Sequence, residues 1–132
     1  MKRNSLSKIE RLTRKKDFDL VYSTGRTLYS KKRKLKVTFV TRNVVERPGV
    51  KFAVGVSKRA GNAVWRNRVK RLLRESYRLN KHSLIEKLEE TEKELLVVFS
   101  PNSINQKRHK HIKLDYIYDE VIYLIEQLGK SI

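Results

Sequence analysis

The hydrophobic positions along this chain change their spacing several times, and each spacing predicts a different secondary-structure element. Apolar side chains first recur at the interval of a helix over residues 14–24, at Phe18, Val21 and Tyr22. Thr13 is a candidate N-cap for this helix, and Gly25 is a candidate left-handed stop at its end. The pattern therefore predicts a short first helix.

Alternating apolar and polar residues predict two strands after this helix. The segments LKVTFVT, residues 35–41, and VKFAVGVS, residues 50–57, alternate and are rich in β-branched side chains. Pro48 and Gly49 predict a turn in the connection between them. Residues 27–30 fit a short edge strand ahead of this pair.

The spacing changes to that of a helix after Gly61, which predicts a second helix over residues 63–80. Side chains on an arc of about 100° should face the core, namely Trp65, Val69, Leu72, Leu73 and Ser76. A further arc of about 100° faces away from the core and is mostly basic. It carries Asn67, Lys70, Arg71, Arg74 and Arg78, with Arg66 and Arg68 flanking the apolar stripe.

Three segments complete the pattern. Residues 95–99, LLVVF, are apolar throughout, which is typical of a central strand covered on both faces, and Pro101 ends it. Residues 109–128 have the apolar spacing of a last helix, with Gly129 as its C-cap. Residues 82–94 are polar and contain five Glu, and fit either a helical extension or a surface connection.

The predicted element order is α, β, β, β, α, β, α, without an internal repeat or a linker long enough to separate domains. We therefore expect a single domain, residues 1–132, of the α+β class. It should form an α/β sandwich in which the helices pack against one mixed sheet.

Charge adds a second constraint, because the chain carries a formal net charge of +18. Residues 1–78 hold 24 Lys and Arg against 5 Asp and Glu, whereas residues 79–132 hold 8 against 9. A polyanionic partner would offset this self-repulsion. The basic residues alternate with aromatic and aliphatic ones at regular spacing, so they should decorate a folded surface rather than a disordered tail.

Several function classes are excluded or disfavoured. The absence of cysteine excludes disulfides, thiolate metal sites and cysteine nucleophiles, and favours the cytoplasm. The first residues lack the apolar run of a signal peptide, and no window has the apolar length of a membrane span. His109 and His111 are poorly spaced for a shared metal, and no acid–base pair or Gly-rich phosphate loop is evident. We expect a binding protein with no catalytic residue or metal site of its own.

The outward face of the second helix is a candidate nucleic-acid contact. Residues 57–78 contain eight Lys and Arg but one acid, Glu75, whereas exposed helix faces normally mix both signs. Phosphates would relieve the repulsion through counterion release, and arginine favours two-pronged phosphate contacts. Charge alone does not separate RNA from DNA.

The aromatic pair of the first helix has two interpretations. Phe18 and Tyr22 lie one turn apart and close to Arg14, Lys15 and Lys16. They are either core residues or a stacking platform for single-stranded bases, where each stacked base contributes about 1–3 kcal/mol. Their position in the fold decides between these alternatives.

The segment KRAGNAVWRNRVKRLLRE, residues 58–75, resembles the signature of bacterial ribonuclease P protein subunits. In that signature a strand ending in Ser-Lys leads through a Gly-Asn-Ala-Val turn into an Arg-Asn-Arg helix. The resemblance extends upstream through LTRKKDFDLVYSTGR, residues 12–26, and downstream through LLVVFS to the last helix, and so covers nearly the whole chain. It implies a left-handed βαβ crossover through the second helix, against the usual preference.

The resemblance also implies a function. In this family a catalytic RNA cleaves precursor tRNA to produce the mature 5′ end, with magnesium held mainly by the RNA. The protein binds that RNA and the single-stranded 5′ leader, and neither a membrane nor an obligate protein partner is implied. The residues that match the RNA-contacting motif are Lys58, Arg59, Arg66, Asn67, Arg68, Lys70, Arg71 and Arg74. Those assigned to the leader cleft are Phe18, Tyr22, Phe39, Arg14 and Lys15, with Phe39 dependent on the strand register.

Three alternatives remain open from the sequence. A general RNA-binding or ribosomal protein would bind many structured RNAs without dependence on leader length. A protein-only nuclease would cleave precursor tRNA without any RNA subunit. A nucleoid-type protein would prefer duplex DNA over RNA at matched salt. The resemblance assigns no role to the acidic segment, residues 82–94.

Overall fold

The computed structural model describes residues 6–43 and 47–132. Its helices are α1 (Lys15–Thr24), α2 (Ala63–Asn80), α3 (His82–Thr91) and α4 (Leu114–Ser131). Its strands are β1 (Arg26–Tyr29), β2 (Leu35–Asn43), β3 (Gly49–Val54) and β4 (Lys93–Pro101). Short 3-10 turns occur at Lys8–Glu10 and Lys58–Ala60. The predicted α+β class and element order are confirmed, with α3 as an additional helix.

The four strands form one mixed sheet in the order β1-β2-β4-β3. The β1–β2 and β2–β4 pairs are antiparallel, whereas β3 and β4 are parallel and are joined by a crossover through α2 and α3. β4 therefore lies between the two strands that precede it in sequence. The predicted turn between β2 and β3 falls partly on residues 44–46, outside the described residues.

Three of the described helices pack on one face of the sheet, and one packs on the other. One face packs against α2, α3 and α4 and buries Leu35, Val37 and Phe39 of β2. The other face packs against α1 through a smaller cluster that includes Val21, Leu96 and Val98. Within the larger core the rings of Phe52 and Tyr77 stack with centroids 4.0 Å apart, an arrangement that adds about 0.5–1.5 kcal/mol beyond burial.

Most of the acidic segment, residues 82–94, forms the helix α3, so the helical alternative for this segment is correct. Its apolar side buries Leu84 and Leu88, while its glutamates lie on the outer side or at its end. Lys81, at the junction of α2 and α3, is 2% exposed, and its ammonium lies 2.8 Å from a carboxylate oxygen of Glu10. The N-terminal 3-10 turn is thereby tied to the junction of two helices.

The first helix ends at Thr24 as predicted, but its predicted caps are wrong in detail. Arg14, not Thr13, occupies the N-cap position of α1, without a side-chain hydrogen bond. Gly25 has an extended backbone with φ of −72°, not a left-handed one. A Cβ at Gly25 would lie 2.2 Å from the Val21 carbonyl oxygen and 2.9 Å from that of Phe39. Glycine is needed here for this close approach to β2.

The limits predicted for the last helix are also wrong. α4 begins at Leu114 rather than near His109, because the preceding residues bind α2 instead. It continues through Gly129 to Ser131, and Ile132 beyond it packs against the core. None of the described helices has both the length and the apolar character needed to cross a membrane.

Candidate nucleic-acid interface

The first turn of α2 is capped by its own sequence. The Trp65 backbone N–H donates a hydrogen bond of 2.9 Å to Asn62 Oδ1, which satisfies one of the free amides at the helix start. The helix then buries one apolar side, formed by Trp65, Val69, Leu73, Ser76 and Tyr77. This burial fixes the rotation of α2, so its opposite side faces solvent.

The loop after β4 packs closely against the turn that precedes α2. The Gln106 backbone N–H donates to the Ala60 carbonyl oxygen at 2.7 Å, and the Asn62 N–H donates to Gln106 Oε1 at 2.8 Å. A Cβ at Gly61 would lie 2.7 Å from Trp65 Cε3 and 2.8 Å from Gln106 Cβ. Glycine therefore permits this contact by its lack of a side chain.

Two side chains of α2 bind the same loop further along. Trp65 Nε1 donates to the His109 carbonyl oxygen at 2.9 Å, and Arg68 Nε donates to the Ile112 carbonyl oxygen at 2.7 Å. These bonds hold residues 106–113 beside the helix. That segment adds its own basic side chains to the surface next to Arg68, namely Lys107, Arg108, Lys110, His111 and Lys113.

Most of the predicted basic face of α2 is exposed, and among the described residues Arg78 is its one member that pairs with a carboxylate, that of Glu75. Asn67, Arg71 and Arg74 are exposed, as are Lys58 and Arg59 in the turn before the helix. Within residues 6–43 and 47–132, none of the basic side chains of the predicted RNA motif forms an ion pair with a carboxylate. The structure thus keeps these charges available for an external anion.

Three other basic side chains of the motif are less exposed to solvent. Arg66, Arg68 and Lys70 are partly buried, and Arg66 Nε is buried without a hydrogen-bond partner in the described structure. A buried donor of this kind normally has an acceptor. The acid of this helix, Glu75, is paired with Arg78 at 2.6 Å, and that hydrogen bond lowers the pKa of Glu75.

A groove of about 710 Å³ opens between the C-terminal half of α1 and the sheet. We call it the α1 groove. It is bordered by Tyr22 of α1, by Lys36 and Thr38 of β2, by residues 55–57 with Arg59 and Ala60, and by residues 100–102 with Ile104 and Asn105. Its walls combine cationic, hydroxyl and amide groups with apolar carbon, as a binding site for a single nucleic-acid strand requires.

The aromatic pair of α1 is divided between core and surface. Phe18 is partly buried against the smaller core, while Tyr22 is 60% exposed and borders the α1 groove. Their ring centroids are 6.5 Å apart, with the planes at 19°. The Tyr22 hydroxyl would be 3.4 Å from a Cβ on Gly55, and partial burial raises the pKa of Tyr22. The hydroxyl therefore remains a neutral donor at physiological pH.

Phe39 does not belong to the groove, which corrects its predicted assignment. Its side chain is 2% exposed in the larger core, on the face of the sheet opposite α1. Because side chains alternate along a strand, it is the neighbours Lys36 and Thr38 that face the groove. The assignment of Phe39 to the cleft depended on the strand register, and the observed alternation places its side chain on the other face.

Arg14 and Lys15 lie at the opposite end of α1 from Tyr22. Arg14 borders a separate basic groove with Lys8, Arg11, Arg47 and Lys51, and Lys15 is exposed. The structure therefore does not bring these two cations together with the aromatic pair at one point. They flank the helix start, about 10 Å or more along the axis from Tyr22 at the rise of an α-helix.

Arg59 connects the two candidate surfaces. It borders the α1 groove and also precedes α2 within the predicted RNA motif. The groove and the basic face of α2 are thus adjacent, and one protein surface can contact a single strand and a second, larger anion together. Among the described residues, no three His, Asp or Glu side chains gather as a metal site.

Sequence reasoning missed most of the polar residues that border the groove and the segment at residues 106–113. Ser100, Asn102 and Asn105 carry no charge or period that would single them out. The segment QKRHKHIK did carry a signal, because it concentrates basic residues in a part of the chain, residues 79–132, that is otherwise acidic. Its histidines drew attention to metal binding, whereas its structural role is to brace α2.

Comparison with known proteins identifies related sequences. A family model for ribonuclease P matches residues 6–119. A ribonuclease P protein component from Oleidesulfovibrio alaskensis is 30% identical over 127 residues, covering 96% of this chain and 92% of that protein. Another from Clostridium novyi is 36% identical over 108 residues, covering 82% and 88% of the two chains.

Solved structures share the fold. The RNase P protein from Thermotoga maritima superposes with a TM-score of 0.68 at 23% identity, covering 89% of this chain and 96% of that chain. The Staphylococcus aureus RNase P protein gives a TM-score of 0.59 at 24% identity, covering 92% and 94%. The mixed sheet and its helices are therefore an architecture seen in solved proteins.

Proposed function

Because this chain belongs to the ribonuclease P protein family, we propose that it is the protein subunit of a tRNA-processing endoribonuclease whose reacting centre is RNA. In this role it acts in the cytoplasm, binds the catalytic RNA through the basic face of α2, and binds the 5′ leader of precursor tRNA in the α1 groove. The protein increases the affinity of the catalytic RNA for its substrate and contributes no reacting group.

The adjacency of the two surfaces at Arg59 is the observation that supports this function best. A general RNA-binding protein needs one basic surface, whereas this chain has a basic helix face beside a groove that is bordered by an exposed tyrosine. The helix face suits the phosphates of a folded RNA. The groove suits an unpaired strand whose bases stack on an aromatic ring.

The arginines of α2 would act through charge and geometry. Arg71 and Arg74 are exposed one turn apart and can each bind a phosphate in two-pronged fashion. A modest rotation of the Arg66 guanidinium toward such a phosphate would also provide its buried Nε–H with an acceptor. Arg68 has a different role, because its Nε bond to Ile112 orients the loop at residues 106–113.

Magnesium belongs in this proposal to the RNA, where the ion can activate water and stabilise the leaving oxygen. The protein's contribution is then to hold the substrate, by neutralising phosphates and stacking leader bases. We name no side chain of the described residues as a ligand of the ion, because these side chains do not assemble a donor set.

Reconstitution with the matching catalytic RNA tests this function. At low magnesium, adding the protein should increase cleavage of precursor tRNA over the RNA alone, and the protein without RNA should not cleave. The gain should depend on the presence of a leader. Cleavage by the protein alone, or equal stimulation with unrelated structured RNAs as partner, would contradict the proposal.

Replacing Tyr22 with Ala should lower the affinity of the reconstituted enzyme for a precursor with a leader by about tenfold, since a stacked base contributes about 1–3 kcal/mol. Affinity for mature tRNA, which has no leader, should stay unchanged. Binding titrations with both RNAs measure this difference. Tyr22 is 60% exposed, so its removal should leave the fold intact.

Tyr22→Phe is the matched control for this change. It keeps the ring and removes the hydroxyl, so it should retain most of the leader affinity if stacking is the main contribution. An equal loss in both variants would instead assign the contribution to the hydroxyl, and no loss in either would refute the groove as the leader site.

A further inference from the structure

The turn between β1 and β2 consists of four consecutive basic residues, Lys31, Lys32, Arg33 and Lys34, which we call the KKRK turn. Its first three residues are exposed. Turns between antiparallel strands normally favour Gly, Asn or Asp, so turn propensity does not account for four cations. The turn lies outside both the basic face of α2 and the aromatic pair of α1.

A buried carboxylate holds the KKRK turn from beneath. Glu120 of α4 is 6% exposed, and its Oε1 accepts hydrogen bonds from Ser30 Oγ and from the Lys32 backbone N–H, each 3.0 Å long. Ser30 Oγ in turn accepts from the Leu35 N–H at 3.0 Å. The carboxylate is therefore engaged with the frame of the turn, and it does not pair with the lysine ammonium groups.

Arg33 adopts a left-handed backbone with φ of 58°, a conformation that costs a residue with a side chain about 1 kcal/mol. Contacts on several sides hold it there. Its N–H donates to the Ser30 carbonyl oxygen at 2.8 Å, and its own carbonyl accepts from Asn102 Nδ2 at 2.8 Å. Its guanidinium lies 4.1 Å from the centre of the Tyr29 ring. The charges are thus presented on a fixed frame.

The cations of the turn are not neutralised within the protein. Across the described ranges, none of the four forms an ion pair with a carboxylate. Lys34 is directed to α4, where its Nζ donates to the Tyr116 carbonyl oxygen at 3.1 Å and lies 3.7 Å from the ring centre. Lys31 and Lys32 remain exposed, so adjacent like charges persist unless an external anion binds.

The KKRK turn adjoins one end of the α1 groove. The Asn102 backbone N–H donates to the Lys34 carbonyl oxygen at 2.8 Å, and Asn102 itself borders the groove with Lys36 and Pro101. The strand β2 also runs directly from the turn into the groove floor. A nucleic-acid strand that leaves the groove at this end therefore meets the exposed lysines next.

We propose that the KKRK turn is a second phosphate-binding site, which holds the part of a single-stranded RNA leader that extends beyond the α1 groove. The inference rests on the function proposed for the groove. Binding there is sequence-independent, because lysine ammonium groups contact phosphates and no base edge. Leaders long enough to reach the turn bind more tightly than leaders confined to the groove.

The test uses the reconstituted enzyme and a series of precursor tRNAs whose leaders are shortened stepwise from the 5′ end. Lys31→Ala together with Lys32→Ala lowers affinity for the longest leader by about tenfold at low salt and leaves the shortest leaders unaffected. The slope of log affinity against log salt becomes less steep by about 1.4 for the long leader, because each contact to a single strand contributes about 0.7.

Lys87→Ala together with Lys130→Ala is the control, because it removes the same charge where α3 meets the far end of α4: Lys130 lies ten residues or about 15 Å beyond Glu120, and the Lys87 ammonium of α3 donates to the Gly129 carbonyl oxygen. It affects no leader differentially. Three results for the Lys31/Lys32 double variant would overturn the KKRK site. They are an equal loss of affinity for all leader lengths, no loss of affinity for any leader, and a weaker assembly with the catalytic RNA when substrate is absent. If the affinity of the wild-type enzyme does not depend on the leader, and Tyr22→Ala does not change that affinity, the groove is not the leader site.

Discussion

Replacing Arg71 and Arg74 with Glu should reduce the affinity of the protein for the catalytic RNA by a factor of about 100 to 1,000 at low salt. Each change removes an attraction to phosphate and adds a repulsion. Both side chains are exposed and neither pairs with a described carboxylate, so reversing their charge should not unfold the protein. Titrations of labelled RNA at several salt concentrations measure the loss, and the salt slope should fall by about 2.

The same reversal at Lys87 and Lys130 separates a local contact from an effect of net charge. Both pairs change the total charge equally, but the second lies outside the motif helix, with Lys130 near the end of α4 and Lys87 on α3 beside Gly129. Its affinity for the RNA should stay within a few fold of wild type. If both double variants lose affinity alike, binding depends on the overall charge of the protein, and the assignment of the α2 face is wrong.

The elements with a strong period were predictable from local sequence. The limits of α2 were predicted at the observed residues, because an N-capping Asn62, a helical apolar stripe and a preceding glycine coincide there. The apolar run at residues 95–99 was correctly predicted as a central strand, since it is buried on both faces of the sheet. In both cases the local signal and the tertiary environment impose the same requirement.

The order of the strands could not be read from the same pattern. Periodicity shows that β2 and β3 are strands, but it does not show that β4 inserts between them. The assignment of Phe39 to the groove was wrong for a related reason. Alternation along β2 defines two faces of the strand, but it does not show which helix covers each face. Leu35, Val37 and Phe39 form the more apolar set and therefore face the larger core.

Contacts between distant segments account for the other corrections. Gly25 and Gly129 were both assigned as helix stops, yet one permits a close approach to β2 and the other lies within α4. The basic face of α2 was predictable because its residues repeat along one helix. The α1 groove was only partly predictable, since its walls come from α1, the strands β2 and β4, the segment between β3 and α2, and the loop after β4.

Replacing Glu10 with Gln should lower the free energy of unfolding by about 3 kcal/mol near neutral pH, a cost typical of removing one charge of a buried ion pair. The two Glu10 carboxylate oxygens lie 2.8 and 3.0 Å from Lys81 Nζ, and Lys81 is 2% exposed at the junction of α2 and α3. Glutamine keeps the shape but not the charge. Denaturant titration of both proteins measures the difference.

The pH dependence of this difference identifies its origin. Burial opposes ionisation of Glu10, but hydrogen bonds from Lys81 and from the Ser7 backbone N–H outweigh it and lower the pKa of Glu10 below 4.5. Its stabilisation is therefore fully present above about pH 4.5 and disappears as pH falls through the lowered value. Wild type and variant should therefore converge in stability once the pH lies below the lowered pKa of Glu10.

Glu75→Gln is the matched control, because the Glu75 carboxylate is likewise paired with a cation, here Arg78, and has a lowered pKa, but its side chain is 43% exposed. Exposed pairs of this kind contribute little, so its unfolding curve should overlay that of wild type at every pH. If Glu10→Gln stays less stable by the same amount in acid as at neutral pH, altered packing, and not the buried ion pair, ties the N-terminal turn to the helix junction.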